Sequence, residues 1–296
     1  MARFGRVLTA MVTPFADDES LDVDAAVALA KWLVGQGNEG LVVAGTTGES
    51  PTLTIDEKLT LFESVAGAVT VPVIGGTTGT NTRQDINLTL EAEKLGLAGI
   101  LAVCPYYSRP SQAGIDAHFR AIAATTALPV LLYDIPKRTG RKIETSTLIS
   151  LGHEVPNIVG VKDAARDPGE TAVVIEATPA AFEVYSGDDP MTLPLLAVGA
   201  VGAIGVATHW CAPDHVEMFD AWTAGDAVAA RAHNARQFES YAFETSDAIP
   251  NPIPAKAMLR ALGHDVGEAR LPMGPAPAGL FDQARSVYDR LAASRG

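Results

Sequence analysis

Residues Asn157 to Pro168 read NIVGVKDAARDP, and the reading of this stretch decides the fold. Ile158-Val159-Gly160-Val161 is a short run of strand-forming residues with no polar alternation. A strand reads that way when helices cover both of its faces. Lys162 follows with no turn between. A chain that ends a buried strand in an ammonium invites two questions: how the strands are arranged, and what the lysine does there.

Working outward, the same unit recurs. Strand signals at 7–12, 40–44, 71–76, 99–103, 129–134, 157–162, 182–186 and 201–206 alternate with helical patterns. Asp22 caps a helix over 23–35, with Val23, Ala26, Val27, Ala30 and Val34 on one face. Thr54 caps the next, to about residue 69, and Asp56 and Glu57 suit its first turn. Further helical patterns fall at 81–95, 111–125, near 145–151, near 169–177 and near 190–198. Eight such units predict a closed (β/α)8 TIM barrel. A doubly wound sheet would need a dinucleotide or phosphate loop near its first strand, and neither GxGxxG nor GxxxxGK[ST] occurs. After residue 211 the alternation stops, and 214–224, 226–245, 254–262 and 278–293 read as helices. The expected organisation is a barrel over 1–211 and a C-terminal helical extension over 212–296 that includes the last barrel helix. That extension is either an appendage or an oligomerisation element.

The 296 residues are 47% hydrophobic and 19% charged, which suits one large core and not a disordered tail. A net charge of −13 argues against nucleic acid or an anionic membrane as partner, since both select basic faces. A local cluster can still hold a small anion. Cys104 and Cys211 are too few for a disulfide framework and form no CxxC pair, which points to a reducing compartment. The N-terminus, MARFGRVLTAMVTPF, lacks a clean apolar signal core, and no apolar run approaches the roughly 18 residues that span a bilayer. The expected location is the cytoplasm.

Polar residues at the predicted strand ends are few: GTTGES (45–50), PYYSRP (105–110), Tyr133 with Arg138, Lys162, and SGDD (186–189). Lys162 points into the barrel mouth if Val161 faces the helices. Burial favours the neutral amine, which attacks a ketone to give a Schiff base whose protonated imine draws electrons. The other reading is a lysine ion-paired to Asp163, Asp188 or Asp189. Tyr133 is either a proton carrier beside the amine or a core residue with a bonded hydroxyl. GTTGES offers backbone N–H groups and the hydroxyls of Thr46 and Thr47 to an anion, or is an ordinary turn. KRTGRK (137–142) holds four cations; Arg138 can grip a carboxylate with two hydrogen bonds, and such a run is otherwise a solvated loop. Tyr106 and Tyr107 are adjacent and cannot both face the mouth. His209, Cys211 and His215 fit no common zinc spacing, and no GxSxG is present, so metal and serine chemistry have no support.

Together, AMVTPF (10–15), GTTGES (45–50), PYYSRPSQ (105–112), LLYDIPKRTG (131–140), NIVGVKDA (157–164), YSGDD (185–189) and NPIPAK (251–256) resemble one family. This is the 4-hydroxy-tetrahydrodipicolinate synthase family, also called dihydrodipicolinate synthase, among the pyruvate-dependent class I aldolases. The resemblance runs from about Val7 to Leu271. It implies a lyase that condenses pyruvate with L-aspartate 4-semialdehyde in lysine and diaminopimelate biosynthesis. It also implies no metal or organic cofactor, and a homotetramer built as a dimer of dimers. Lys162 would form the imine with pyruvate. Tyr133 would move protons for imine formation and for carbon–carbon bond making. Thr46 would bond Tyr133 and relay that proton, and Tyr107 would complete the relay in a neighbouring subunit. Thr47 would hold the pyruvate carboxylate and Arg138 the carboxylate of the semialdehyde. Gly187 and Ile204 would contribute backbone around the substrates.

Two positions depart from the family pattern: Cys104 stands where Thr is usual, and Lys137 where Gly or Ser is common. Lysine-inhibited relatives carry two histidines where this chain has Ile55 and Lys58. An ammonium at 58 would repel a lysine effector, so feedback inhibition is expected to be weak or absent. The nearest rival is a sister aldolase on sialic acid or 2-keto-3-deoxy sugar acids, which would not need Arg138. A non-catalytic keto-acid-binding barrel is a second rival, and the Lys–Tyr–Thr set argues against it. A pyridoxal phosphate barrel would also use a lysine, but one this late in the barrel fits it poorly.

Overall fold

Eight parallel strands pair in chain order, and the last closes on the first. They are β1 (Val7–Ala10), β2 (Gly40–Val43), β3 (Val73–Gly76), β4 (Gly99–Val103), β5 (Val130–Asp134), β6 (Ile158–Asp163), β7 (Glu183–Ser186) and β8 (Gly202–Gly205). This computed structural model describes residues 2–295. The predicted (β/α)8 barrel is therefore the observed one. Its helices are α1 (Val23–Gly35), α2 (Ile55–Ala68), α3 (Thr82–Ala92), α4 (Gln112–Ala123), α5 (Pro136–Thr139), α6 (Thr145–Glu154), α7 (Pro168–Ala177), α8 (Thr192–Ala197) and α9 (Thr208–Thr223). The C-terminal extension adds α10 (Ala227–Arg236), α11 (Phe238–Phe243), α12 (Ile253–Ala261) and α13 (Leu280–Ala293).

Local chemistry sets these elements. The Asp22 side chain accepts from the Ala25 amide, and Thr54 and Glu57 bond each other's backbone in a capping box. Strand residues are buried because they face either the helices or the barrel interior. Leu8, Val42, Ile74, Leu101, Leu131, Tyr185 and Ile204 fill the interior. Leu41, Val43, Ile100, Leu132, Val161 and Val184 pack against the helices. Each such aliphatic side chain contributes about 1.5–3 kcal/mol of burial.

Three boundaries differ from the sequence reading. α9 starts at Thr208, six residues before the pattern at 214, and carries Pro213 inside it. The line between 211 and 212 thus runs through one helix. The pattern at 226–245 is two helices, α10 and α11, with Gln237 between them. The short helix α5 lies in what read as a cationic loop.

One irregularity aims the lysine. β5 and β6 pair Val130 with Ile158 but Leu131 with Gly160, so Val159 is an extra residue. Without it, strict alternation would not let Val159 and Lys162 share a side of the strand. With it, Val159 packs in the barrel interior, Val161 faces the helices and Lys162 turns inward opposite Tyr133. Gly160 is required at this point, because any Cβ there would run into the Glu183 backbone of β7.

Candidate active site

A cavity of about 300 Å³ opens at the carboxyl ends of the strands. Lys162, Tyr133, Thr46, Thr47, Arg138 and Gly187 line it. A second cavity of about 200 Å³ adjoins it and shares Thr46, Tyr133 and Arg138.

Lys162 is 4% exposed, and its Nζ lies 4.4 Å from the centroid of the Tyr133 ring. Desolvation by burial, helped by the Arg138 cation, pulls its pKa from 10.5 down to about 8; the acids Asp189 and Asp188 oppose this. The ion-paired alternative is not what the fold builds. Asp188 bonds Arg166 at 2.7 Å, Asp189 faces His215, and Lys162 has no ion pair among the described residues. Burial pushes the Tyr133 phenol up to about 12, offset in part by Arg138 and by a hydrogen bond with Thr46. The phenol is thus a neutral proton donor beside an amine that loses its proton easily.

The neighbouring loops are held in place by bonds that reach far along the chain. In GTTGES, Glu49 adopts the left-handed conformation (φ 55°), and the turn closes through Glu49 N–H to Thr46 O and Ser50 N–H to Gly45 O, both 3.1 Å. The Thr13 hydroxyl ties AMVTPF to this loop, donating to Gly48 O at 2.6 Å. The Glu49 carboxylate lies 2.8 Å from Lys256 Nζ, and both side chains are 1% exposed. Asn251 donates to Thr47 Oγ1 at 2.9 Å, and its carbonyl accepts from Arg138 Nη2 at 3.2 Å. At Gly187 a Cβ would lie 2.8 Å from Lys162 Cγ, so glycine leaves room for the lysine stem.

Two expected residues stand apart. Tyr107 is 93% exposed, has a left-handed backbone (φ 67°) and lies outside both cavities of its own chain. Ile204 is fully buried in the barrel interior, and Val206 lines the cavity instead. Tyr106 lines the smaller cavity. The acids Asp188, Asp189 and Glu244, together with Arg166 and Asn251, complete the larger one. SGDD and NPIPAK stand out in the sequence, but no motif there marks Glu244 or Arg166.

A sequence model described as the Dihydrodipicolinate synthetase family matches residues 3–287. This chain belongs to that family. It is 48% identical to the 4-hydroxy-tetrahydrodipicolinate synthase of Moorella thermoacetica over 273 residues, 92% of each chain. It is also 48% identical to the enzyme of that name from Symbiobacterium thermophilum, covering 97% of this chain and 98% of the relative. Among solved structures, dihydrodipicolinate synthase from Cyanidioschyzon merolae with lysine bound superposes with a TM-score of 0.95 at 41% identity, covering 99% of both chains. The family assignment agrees with a lysine at the end of β6 that is dry, unpaired and beside a phenol.

Proposed function

We propose that this chain is a lyase that condenses pyruvate with L-aspartate 4-semialdehyde through a Schiff base on Lys162, giving 4-hydroxy-tetrahydrodipicolinate. The observation that carries this reading is the buried, unpaired Lys162 amine 4.4 Å from the Tyr133 ring.

In the proposed sequence the neutral Lys162 amine attacks the keto carbon of pyruvate. Tyr133 gives its proton to the departing hydroxyl, so water leaves and an iminium remains. The phenolate left behind is a strong base, because burial disfavours its charge. It takes a proton from the pyruvate methyl group, now acidified by the iminium, and an enamine forms. The enamine carbon attacks the aldehyde, and Tyr133, with Thr46 as relay, protonates the resulting alkoxide. The Tyr133 phenolate takes a proton from the ammonium of the second substrate, the freed amine adds to the iminium carbon, and a proton passes from that nitrogen to the Lys162 nitrogen, which leaves as the neutral amine while the ring imine forms. Every proton and electron pair is accounted for by the two substrates and these side chains, so the reaction calls for no metal or organic cofactor. Thr47 takes the pyruvate carboxylate, and Arg138 takes that of the semialdehyde. Arg138 lining the cavity is what favours this aldehyde over the sugar aldehydes of a sister aldolase.

The working unit we infer is a homotetramer in the cytoplasm. Tyr107 supports contact with a neighbouring subunit, since it is presented outward and misses its own cavity. The test of the function is reductive trapping. Hydride reduction with pyruvate should leave a pyruvyl adduct on the peptide bearing Lys162, and pyruvate plus the semialdehyde should turn over. An unmodified Lys162, or a Lys162→Ala protein with normal turnover, would overturn the reading.

A further inference from the structure

Behind Lys162 the chain buries more acid than it has cations to match. Asp189 is 2% exposed and Glu244 is 5% exposed. Successive amides at the start of α9 hold one oxygen of each: Val206 N–H donates to Asp189 Oδ2 at 2.8 Å, and Ala207 N–H donates to Glu244 Oε2 at 3.0 Å. This brings the two carboxyl groups within hydrogen-bond reach of each other. Among the described residues, Glu244 has no ion pair and Asp189 meets only His215. Asp189 Oδ1 is sealed from solvent with no ordinary donor. His215 does not supply one: its Nδ1–H donates to the Cys211 carbonyl at 3.2 Å, which leaves a bare Nε2, beside Gln237, 3.7 Å from Oδ1. Gly205 of β8 makes room here, since a Cβ on it would strike Asp189.

Two carboxylates this close and this dry do not both ionise. We propose that Glu244 is a positioning residue that works as a neutral carboxylic acid, donating its proton to Asp189 so that this pair presents one negative charge, not two, to Lys162. The inference rests on Lys162 being the Schiff-base lysine and adds a residue that sets the amine's readiness. The other charges facing this floor are accounted for. Asp188 is bonded to Arg166, and Arg138 reaches in from α5. From α9, Asp214 is paired with Arg295 and Arg236, while burial keeps Cys211 and His215 neutral. Burial also keeps Tyr133 on β5 and Tyr241 on α11 neutral. Glu244 is the remaining acid beside Asp189, and burial together with Asp189 holds its proton on. A second negative charge in its place would hold the proton on Lys162.

The experiment compares wild type, Glu244→Gln and Glu244→Leu. Cyanoborohydride trapping of pyruvate is followed against pH, and difference infrared spectra record the C=O band of a protonated carboxyl group. Gln keeps both the donor and the neutral charge, so the pH midpoint of trapping should match that of wild type. Leu removes the donor and leaves the Asp189 charge unshared. Its midpoint should rise by about one unit, which slows trapping at neutral pH about tenfold. Wild type should show a protonated carboxyl band at neutral pH that Glu244→Gln lacks. A midpoint that falls by about a unit in Glu244→Gln would mean the native residue is charged, and would overturn the proposal; so would the absence of the infrared band. If no variant forms an adduct at any pH, the Schiff-base reading fails, and the infrared band still decides the state of Glu244.

Discussion

Replacing Lys162 with methionine should make the protein more stable while removing its chemistry. The amine is buried, has no ion pair among the described residues, and titrates at about 8 instead of 10.5. The folded chain therefore binds fewer protons than the unfolded chain between those two values, and stability rises with pH across that window. Below about pH 8 the full penalty applies; at about 1.4 kcal/mol per unit, it amounts to about 3 kcal/mol. Methionine has a similar length and no charge to desolvate, so it escapes this penalty. Urea denaturation followed by circular dichroism, at one protein concentration, measures the gap. Lys162→Met should exceed wild type by about 3 kcal/mol near pH 7, and the excess should shrink to about 1 kcal/mol near pH 10, where the unfolded lysine also loses its proton. Equal stability near pH 7, or a gap that does not narrow toward pH 10, would show that the native amine is solvated or paired and would refute the desolvation argument.

Other outcomes follow from the same geometry. Tyr133→Phe should fold normally and lose about 10²–10⁴-fold in kcat, with slower adduct formation on Lys162 in trapping assays; a loss below tenfold would move the proton relay elsewhere. L-lysine added to steady-state assays should inhibit weakly or not at all. Lys58 already presents a half-buried ammonium toward Asp85, whose pKa burial pushes up to about 6 against the pull of Lys58, and strong inhibition would contradict this. Tyr107→Phe should leave the subunit fold intact and lower activity. Mixing it with Lys162→Ala under conditions that exchange subunits should then restore turnover; no restoration would mean Tyr107 does not serve a neighbour's site.

The barrel and its lysine were legible because both are local signals. Continuous Val/Ile/Leu runs mark strands covered on both faces, and a lysine directly after one of them needs no long-range information to be noticed. What local patterns could not show was how Lys162 comes to face inward. That depends on the extra residue at Val159 and on contact between Gly160 and β7, a property of pairing between strands. Glu244 was invisible for a related reason. Alone on the chain it is one acid in a helical pattern, and it gains meaning only when β7 and the start of α9 place Asp189 and Ala207 against it. The start of α9 is equally hard to read locally, because Pro213, a residue that usually opens a helix, sits within it.

The same long-range contacts tie the C-terminal extension to the cavity. Its α11–α12 segment supplies Asn251 to Thr47 and Glu244 to Asp189. Within α12, Lys256 pairs with Glu49, and beyond it Arg270 donates its backbone N–H to Glu49 at 2.9 Å and pairs with Glu57. The Lys256 and Arg270 cations both pack on the Phe15 ring, 4.2 and 4.0 Å from its centroid, so the AMVTPF stretch is bound to the same cluster. Removing one partner of a buried pair such as Glu49–Lys256 costs about 3–5 kcal/mol because the other charge is left dry and unmatched. GTTGES and NPIPAK are thus two halves of one clamp, with Thr46 and Thr47 on one jaw and Asn251 on the other. The extension is a wall of the cavity, and this is the physical reason its residues belong to the catalytic unit as much as the barrel's own strand ends do.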